Sequence, residues 1–426
     1  MSVLQTHVLE SKVVFEHQRL KTPLRLSSGP ITELTLATAS VTVEVAGRRG
    51  TGSGAIYLSD LWSWPSPTLT HEERDAAMRA LCVEISGKLG DLCGSEPAHP
   101  AELGLRLHDA ICRRTDDPVK PVLARALCAS PFDAAIHDAA GQALGVSAFT
   151  FYREPAPIPS ADPYFKRGDA CSAIGRMLLS PPRLAFDAWL IVGKDDVLDR
   201  DVASWVRERG YHCFKLKTLG KNAADDAART AAVFRAARQF GIERPKLSID
   251  SNEGNPDAAS VVEYLEKVRE ADPEAYASIM YLEQPTSRDI AACPFDWRDA
   301  ARRKPVVLDE GSVEIDKLDG AIAQGWSGVA VKTCKGHSFC LAAAAWAHER
   351  GLTIAVQDLT NPGLALIQSA LLAAHVPSIN GVELNSPQFT PAANAAWLPR
   401  LRPLFEPRDG VHRLCLPIPA GLGSRL

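Results

Sequence analysis

The sequence lacks the excess of positive charge that a polyanion-binding protein normally shows. Its 47 Lys and Arg are outnumbered by 51 Asp and Glu, for a formal net charge of −4, and no nucleic-acid partner is expected. It lacks any run of the ~18–20 apolar residues that a membrane helix requires. Residues 1–10 show neither the basic nor the apolar region of a secretory leader. The expectation is a cytoplasmic protein with no membrane partner. None of the ten cysteines forms a Cys-x-x-Cys pair. In a chain of this size they read as scattered reduced thiols, without a disulfide framework or a zinc site. No Gly-x-Gly-x-x-Gly follows a strand-like run, so the fingerprint of a doubly wound nucleotide fold is missing.

What is present is a chain of 426 residues, 46% hydrophobic and 23% charged. These are ordinary globular values and exclude disorder as the dominant state. The length exceeds a single small core, so two domains, or a barrel with an accessory domain, are expected. Residues 32–45 alternate β-branched with small or polar side chains, and Gly47, Gly50, Gly52 and Gly54 punctuate the next stretch of chain. This predicts an antiparallel meander at the start. Residues 21–29 are polar and turn-rich and read as a loop. From His71 to about Gly145 the pattern is helical, with Thr70 and Glu73 at capping-box spacing and an Ala-rich stretch, 132–145, that ends on Gly. A Pro-rich passage, 154–163, marks a boundary.

Beyond it, short apolar runs alternate with Ala-rich helical stretches. The runs are 186–192, 211–217, 246–250, 279–283, 305–309, 328–332, 352–357 and 380–384. Strands alternating with crossover helices make a parallel sheet, and eight such units close naturally into a barrel. Barrel enzymes carry their chemistry at the C-terminal strand ends. Here those ends read Lys215-Leu-Lys217, Asp250 with Asn252, Glu283, Asp309 and Lys332. One charged strand end is a solvated terminus; five in succession are a pattern. Asp250, Glu283 and Asp309 are spaced 33 and 26 residues apart, about one strand-helix unit each. Three convergent carboxylates need a cation, and oxygen-only ligands suit a hard ion such as Mg²⁺. Lys215 and Lys217 share a face, and Lys332 lies on the other side of the acids. A lysine buried beside other cations has a depressed pKa and acts as a base. Two facing lysines can remove a proton from one face of a substrate and return one to the other.

The row K-x-K, D-x-N, E-Q-P, D-E-G and a following strand-end lysine resembles the enolase superfamily. More narrowly, it resembles the muconate-lactonising, cycloisomerase-like branch of the mandelate racemase/muconate lactonising enzymes. The resemblance spans nearly the whole chain. Residues 132–145 resemble the last helix of that family's cap, and 409–423 its C-terminal return to the cap. It implies a TIM-type (β/α)7β barrel with an N-terminal α+β capping domain. The cap would take residues 1–160, the barrel 161–400 and the returning segment 401–426. It also implies Mg²⁺ held by Asp250, Glu283 and Asp309, with Lys217 and Lys332 as opposed acid/base groups and Lys215 as their auxiliary. Asn252 would lie beside the ligands or the substrate. A small carboxylate substrate, an enediolate intermediate and a homo-oligomer are expected from the same likeness. The outcome leans to racemisation or epimerisation; a lyase, a cycloisomerase and a non-catalytic ligand-binding homologue are the alternatives.

Other residues stay open at this point. Asp358 reads equally as a helix cap, a lysine-orienting group or a substrate contact, and Glu383 leans to the site. Arg25 and Lys21 read as a distal anion contact or an exposed loop. Trp62 and Trp64 read as pocket wall or core. Lys335 is an extra cation near the site, and His337 reads as a surface histidine at a helix start. Asp358, His337 and Lys335 are each candidates for the general acid a lyase would need.

Overall fold

The computed structural model describes residues 4–26, 28–117, 119–414 and 417–426. Strands β1 (Thr6–Leu26), β2 (Gly29–Val45) and β3 (Arg48–Tyr57) form an antiparallel sheet in that order. Ala37, Ala39, Val41, Val43 and Val45 are fully buried, the period-two face that the sequence announced. The segment expected as a loop is instead mostly hairpin. Leu24 pairs with Ile31 and Leu26 with Gly29, after a register shift beyond Arg19. Gly50, Gly52 and Gly54 are likewise not turn residues. They form one face of β3, against the helix Val122–Leu144, where a Cβ on Gly52 would stand 2.1 Å from the Ala139 nitrogen. Only side-chain-free positions let an Ala-rich helix lie this close to a strand.

The helix His71–Cys93 opens with the expected capping box, in which Thr70 accepts from the Glu73 N–H and Glu73 from the Thr70 N–H. The helix Val122–Leu144 ends on Gly145 in the left-handed region. Asp138 on this helix ties β3 and the C-terminal segment to it. Its carboxylate accepts from the backbone N–H of Ser53 (2.9 Å) and Leu422 (2.6 Å).

After β4 (Ala185–Asp187), seven parallel strands curl into the barrel. They are β5 (Trp189–Val192), β6 (Cys213–Lys217), β7 (Lys246–Asp250), β8 (Ile279–Glu283), β9 (Val306–Leu308), β10 (Gly328–Lys332) and β11 (Thr353–Gln357), paired in sequence order. β12 (Val411–Arg413) pairs with β4. The first expected run is thus divided between β4 and β5. The eighth, 380–384, makes only an isolated parallel bridge, Gln357 to Glu383. Gly381, at φ +71°, breaks the extended backbone there, and side-chain amides replace the ladder. Asn380 accepts from Val356 N–H (3.0 Å) and donates to Val356 C=O (2.9 Å). Gln388 does the same to Ile191, at 3.1 and 2.9 Å, and so closes the seam with β5. Asn380→Ala is expected to cost about 2–4 kcal/mol, because it leaves buried backbone groups unsatisfied. This would appear as a lower urea midpoint at constant m-value; an unchanged midpoint would mean that this amide does not hold the seam.

The cap sheet and helices sit against the helix His337–Glu349 and the segments after β11. Asp133 accepts from Ser338 N–H (2.8 Å), and Asn361 from Tyr57 N–H (3.0 Å). The tip of the β1–β2 hairpin reaches the C-terminal ends of the barrel strands. Among the described residues no helix is long and apolar enough to cross a membrane.

Candidate active site

Parallel register aligns the strand ends. Lys217 is level with Asp250, and Asp250 with Glu283; Glu283 is level with Val307, two residues before Asp309 and on its face. Lys215, Asp250, Glu283, Asp309 and Lys332 are all at most 5% exposed. The ammonium groups bridge the acids in strand order. Lys215 Nζ stands 3.2 Å from Asp250 Oδ2 and 2.6 Å from Glu283 Oε2. Lys332 Nζ stands 3.5 Å from Glu283 Oε1 and 2.6 Å from Asp309 Oδ2. Lys217 pairs with Asp250 and donates to Asn252 Oδ1 at 3.1 Å. Lys335, fully buried, approaches from behind: its Nζ is 2.9 Å from Asp309 Oδ1 and donates to the carbonyls of Asp309 and Ala330.

These pairings set the electrostatics. Burial alone lowers a lysine, but the surrounding carboxylates outweigh it. Asp309 and Glu283 hold Lys332 above its ordinary value, and Glu283, Glu383 and Asp250 do so for Lys215. For Lys215 and Lys332 the depression expected from the sequence is therefore not what the structure shows, because the acids lie nearer than the other cations do. On the acids, burial pushes Glu283 up, whereas Lys217 and Lys215 overcome burial at Asp250 and hold it down.

Around this row the structure adds residues that the sequence reading passed over. Gln284, the Gln of E-Q-P, accepts from the backbone N–H groups of Asp309 (2.9 Å) and Gly311 (3.1 Å) and so fixes the third acid. Gln357 donates to Glu283 and, at 3.3 Å, to Glu383; Tyr281 also donates to Glu383. Gln357 ends the apolar run 352–357, so the strand-end rule that found the acids extends to it. Glu383 lies 3.0 Å from Lys215 and joins the cluster. Gln284 has positive φ (31°) directly after Glu283, and Asn252 and Thr360 (45° and 59°) stand two residues after Asp250 and Asp358. Non-glycine residues rarely adopt this conformation, and it gathers where function needs a fixed geometry.

A small cavity of about 40 Å³ opens on these groups. Its polar lining includes Lys215, Lys217, Lys332, Asn252, Asp358 and Glu383, and its apolar wall Leu24, Leu26, Ile31, Trp62, Ile191 and Leu359. Trp62 is thus pocket wall. Its ring lies 4.9 Å from Lys332 Nζ, and its N–H donates to Glu310 at 2.8 Å. Trp64 is buried core. Arg25 and Lys21 are exposed and line an adjoining groove that Lys217 also borders, outside the catalytic cavity. His337 is not a surface residue. It is 1% exposed, with its ring 4.7 Å from His137 and 5.6 Å from Phe149, and burial depresses it to about 3.

The donor set fits a hard divalent cation. Its members are oxygen-only, buried and level. With ammonium groups standing between them, Asp250, Glu283 and Asp309 do not close on one point. Among the described residues the trio that does, within 4.8 Å, is Asp187, His212 and Cys213. That trio lies at the other end of the strands, with Asp187 already engaged by Lys246 and His212.

The comparisons agree with this architecture. A family described as enolase C-terminal domain-like matches residues 198–425. The muconate lactonising enzyme from Pseudomonas fluorescens, complexed with muconolactone, superposes at a TM-score of 0.63 and 18% identity, covering 99% of this chain and 97% of that one. An enolase from Bradyrhizobium complexed with magnesium and mandelic acid gives 0.65 at 17% identity, over 99% and 96%. The dipeptide epimerase from Enterococcus faecalis, complexed with Mg and L-Leu-L-Tyr, gives 0.65 at 16%, over 98% and 99%. At these identities the structural likeness carries the fold: a curled parallel sheet beneath a capping domain. No curated protein matches by sequence.

Proposed function

This chain belongs to the enolase superfamily, among the mandelate racemase and muconate lactonising enzymes, and on that premise we propose that it abstracts the proton α to a substrate carboxylate, with Mg²⁺, and gives racemisation or epimerisation. The observation that carries the reading is the placement of Lys217 on β6 and Lys332 on β10, either side of Asp250, Glu283 and Asp309. Residues 1–160 cover the site, 161–400 supply the ligands and lysines, and 401–426 tie back to the cap.

Asp250, Glu283 and Asp309 would hold the ion; solved relatives of this fold carry magnesium. Once bound, it would supply positive charge for the substrate carboxylate and the developing enediolate, and would take up part of the carboxylate charge that now holds Lys332 protonated. Lys217 is the more accessible base, with 13% of its side chain exposed. Asn252 and Asp250 aim it. Lys332 faces it across the acids and is steadied by Asp309 and the Trp62 ring. Lys215 stays an ammonium, locked among three carboxylates, and orients rather than transfers. The hairpin tip and Trp62 exclude water from the intermediate.

The test is stereochemical. Single enantiomers of N-acyl amino acids, dipeptides and 2-hydroxy acids, incubated with Mg²⁺ and resolved on a chiral phase, are expected to yield the antipode or epimer of at least one. Every acid keeping its configuration while one loses water would make the enzyme a lyase.

A further inference from the structure

We infer that this chain has a second metal site, of a different kind from the first: Asp187, His212 and Cys213 take a borderline-soft divalent ion, Zn²⁺ above all, at the N-terminal mouth of the barrel. The inference does not depend on the reaction proposed above.

The three side chains come from two segments that meet beneath the sheet. Asp187 ends β4, Cys213 opens β6, and His212 directly precedes it. One donor atom of each lies within 4.8 Å of the other two. A tetrahedral ion with ligands about 2.0–2.3 Å away sets its ligand atoms roughly 3.3–3.8 Å apart. Asp187 Oδ1 and His212 Nε2, at 3.3 Å, already have that spacing. Bringing in the thiol needs a shift on the order of 1 Å. Cys213 is buried, whereas the side chains of His212 and Asp187 are 27% and 34% exposed. An ion can therefore enter from solvent and keep a water at its fourth position.

The outer atoms of both polar ligands are held in place. His212 Nδ1 lies 3.3 Å from the Gly210 carbonyl. A carbonyl only accepts, so Nδ1 carries the hydrogen and Nε2 is left to face Asp187. Lys246 Nζ donates to Asp187 Oδ2 at 2.5 Å and leaves Oδ1 to face His212. Outer partners of this type orient histidine and carboxylate ligands in metal sites. Gly210, at φ +72°, turns the chain so that its carbonyl is presented. Gly410 confines the ring from its other side, where a Cβ would stand 2.3 Å from His212 Nδ1.

The plain alternative is an ion pair, in which a proton on Nε2 makes His212 a cation beside Asp187. It accounts for two of the three residues and leaves Cys213 a bystander. With the thiolate included, the donor set is N, O and S, which disfavours Mg²⁺ and Ca²⁺ and suits Zn²⁺. The two ends of the barrel thus sort ions by hardness. The expectation of no zinc site came from the absence of paired cysteines; here a histidine and an aspartate complete the set around a single thiol. A bound ion would tie β4 to β6. Because β4 pairs with β12, the tie extends to the returning C-terminal segment.

The test strips the full-length protein with chelator, refills it with excess Mg²⁺ and titrates it with Co²⁺, whose bond to a thiolate gives a near-ultraviolet charge-transfer band. One equivalent is expected to bind with that band; Zn²⁺ should bleach it and further Mg²⁺ should not. Cys213→Ser should lose the band, and His212→Gln and Asp187→Asn should weaken binding by at least about 10-fold. With Mg²⁺ present, Zn²⁺ at a hundredfold excess over its Kd should raise the wild-type Tm by about 3 °C, and should not do so in the variants. Urea midpoints in chelator show which variants keep the fold; His212→Gln, at a partly exposed side chain, decides if Cys213→Ser does not. A wild type without the band would overturn the inference and leave His212 paired with Asp187 alone. A band that survives undiminished in Cys213→Ser or His212→Gln would put the ion on another cysteine and overturn it equally.

Discussion

Lys217→Ala and Lys332→Ala should each abolish interconversion of enantiomers, by about 10²–10⁴-fold, the usual contribution of a positioned acid or base. Yet each should keep half of the chemistry. Racemisation needs one group to take the α-proton and another, on the far face, to return one. With Lys217 removed, Lys332 still meets the proton of the enantiomer that faces β10. That enantiomer should still exchange its α-hydrogen with heavy water, with retention, while its antipode is inert. Lys332→Ala should show the reverse preference. The two lysines differ in surroundings: Lys332 sits 2.6 Å from Asp309 and under Trp62, whereas Lys217 is partly exposed beside Asp250 and Asn252. The residual rates need not match; the handedness must. Loss of exchange on both enantiomers in both variants would mean that the lysines act on one face together.

Asp250→Asn and Glu283→Gln should weaken Mg²⁺ binding by at least about 100-fold, since direct ligands matter more than the outer groups whose loss costs 10–100-fold. Calorimetric titration would show it, and catalysis should fall in step. Both carboxylates also neutralise buried ammonium groups: Asp250 for Lys215 and Lys217, Glu283 for Lys215 and Lys332. Leaving such a charge unpaired costs about 3–5 kcal/mol, so urea midpoints must be read alongside to separate loss of metal from loss of fold. The pH dependence has a fixed sign. Burial holds Glu283 above the ordinary carboxylate range. It must shed a proton to act as a ligand, so Mg²⁺ affinity should fall as the pH is lowered, and binding should release protons to the buffer. Affinity that rises on acidification would contradict this assignment.

The acid row was readable because a barrel places each chemical residue at the end of an apolar run and spaces the runs by one strand-helix unit. Asp250, Glu283 and Asp309 therefore surfaced together, and parallel register puts them level. What escaped depends on contacts between distant segments. Asn380 and Gln388 replace backbone ladder bonds with amide side chains, which hydrophobic patterning does not register. Gly50, Gly52 and Gly54 look like turn punctuation until the helix Val122–Leu144 lies on them. His337 is buried by His137 and Phe149, far away in the chain. The sign of the lysine shifts turned on which charges stand nearest, a matter of a few ångströms. Asp358 was ambiguous because only the structure shows that neither the helix nor a lysine claims it.

The most direct measurement is α-hydrogen exchange by the wild-type protein in heavy water, followed by mass and proton spectra. Pooled 2-hydroxy acids, N-acyl amino acids and dipeptides would be titrated with Mg²⁺ after chelation. The account predicts a gain of one deuterium at Cα of an intact acid, absent with chelator and restored as Mg²⁺ is added back. Exchange that persists undiminished in chelator, or full Mg²⁺ occupancy with no exchange on any acid, would contradict it.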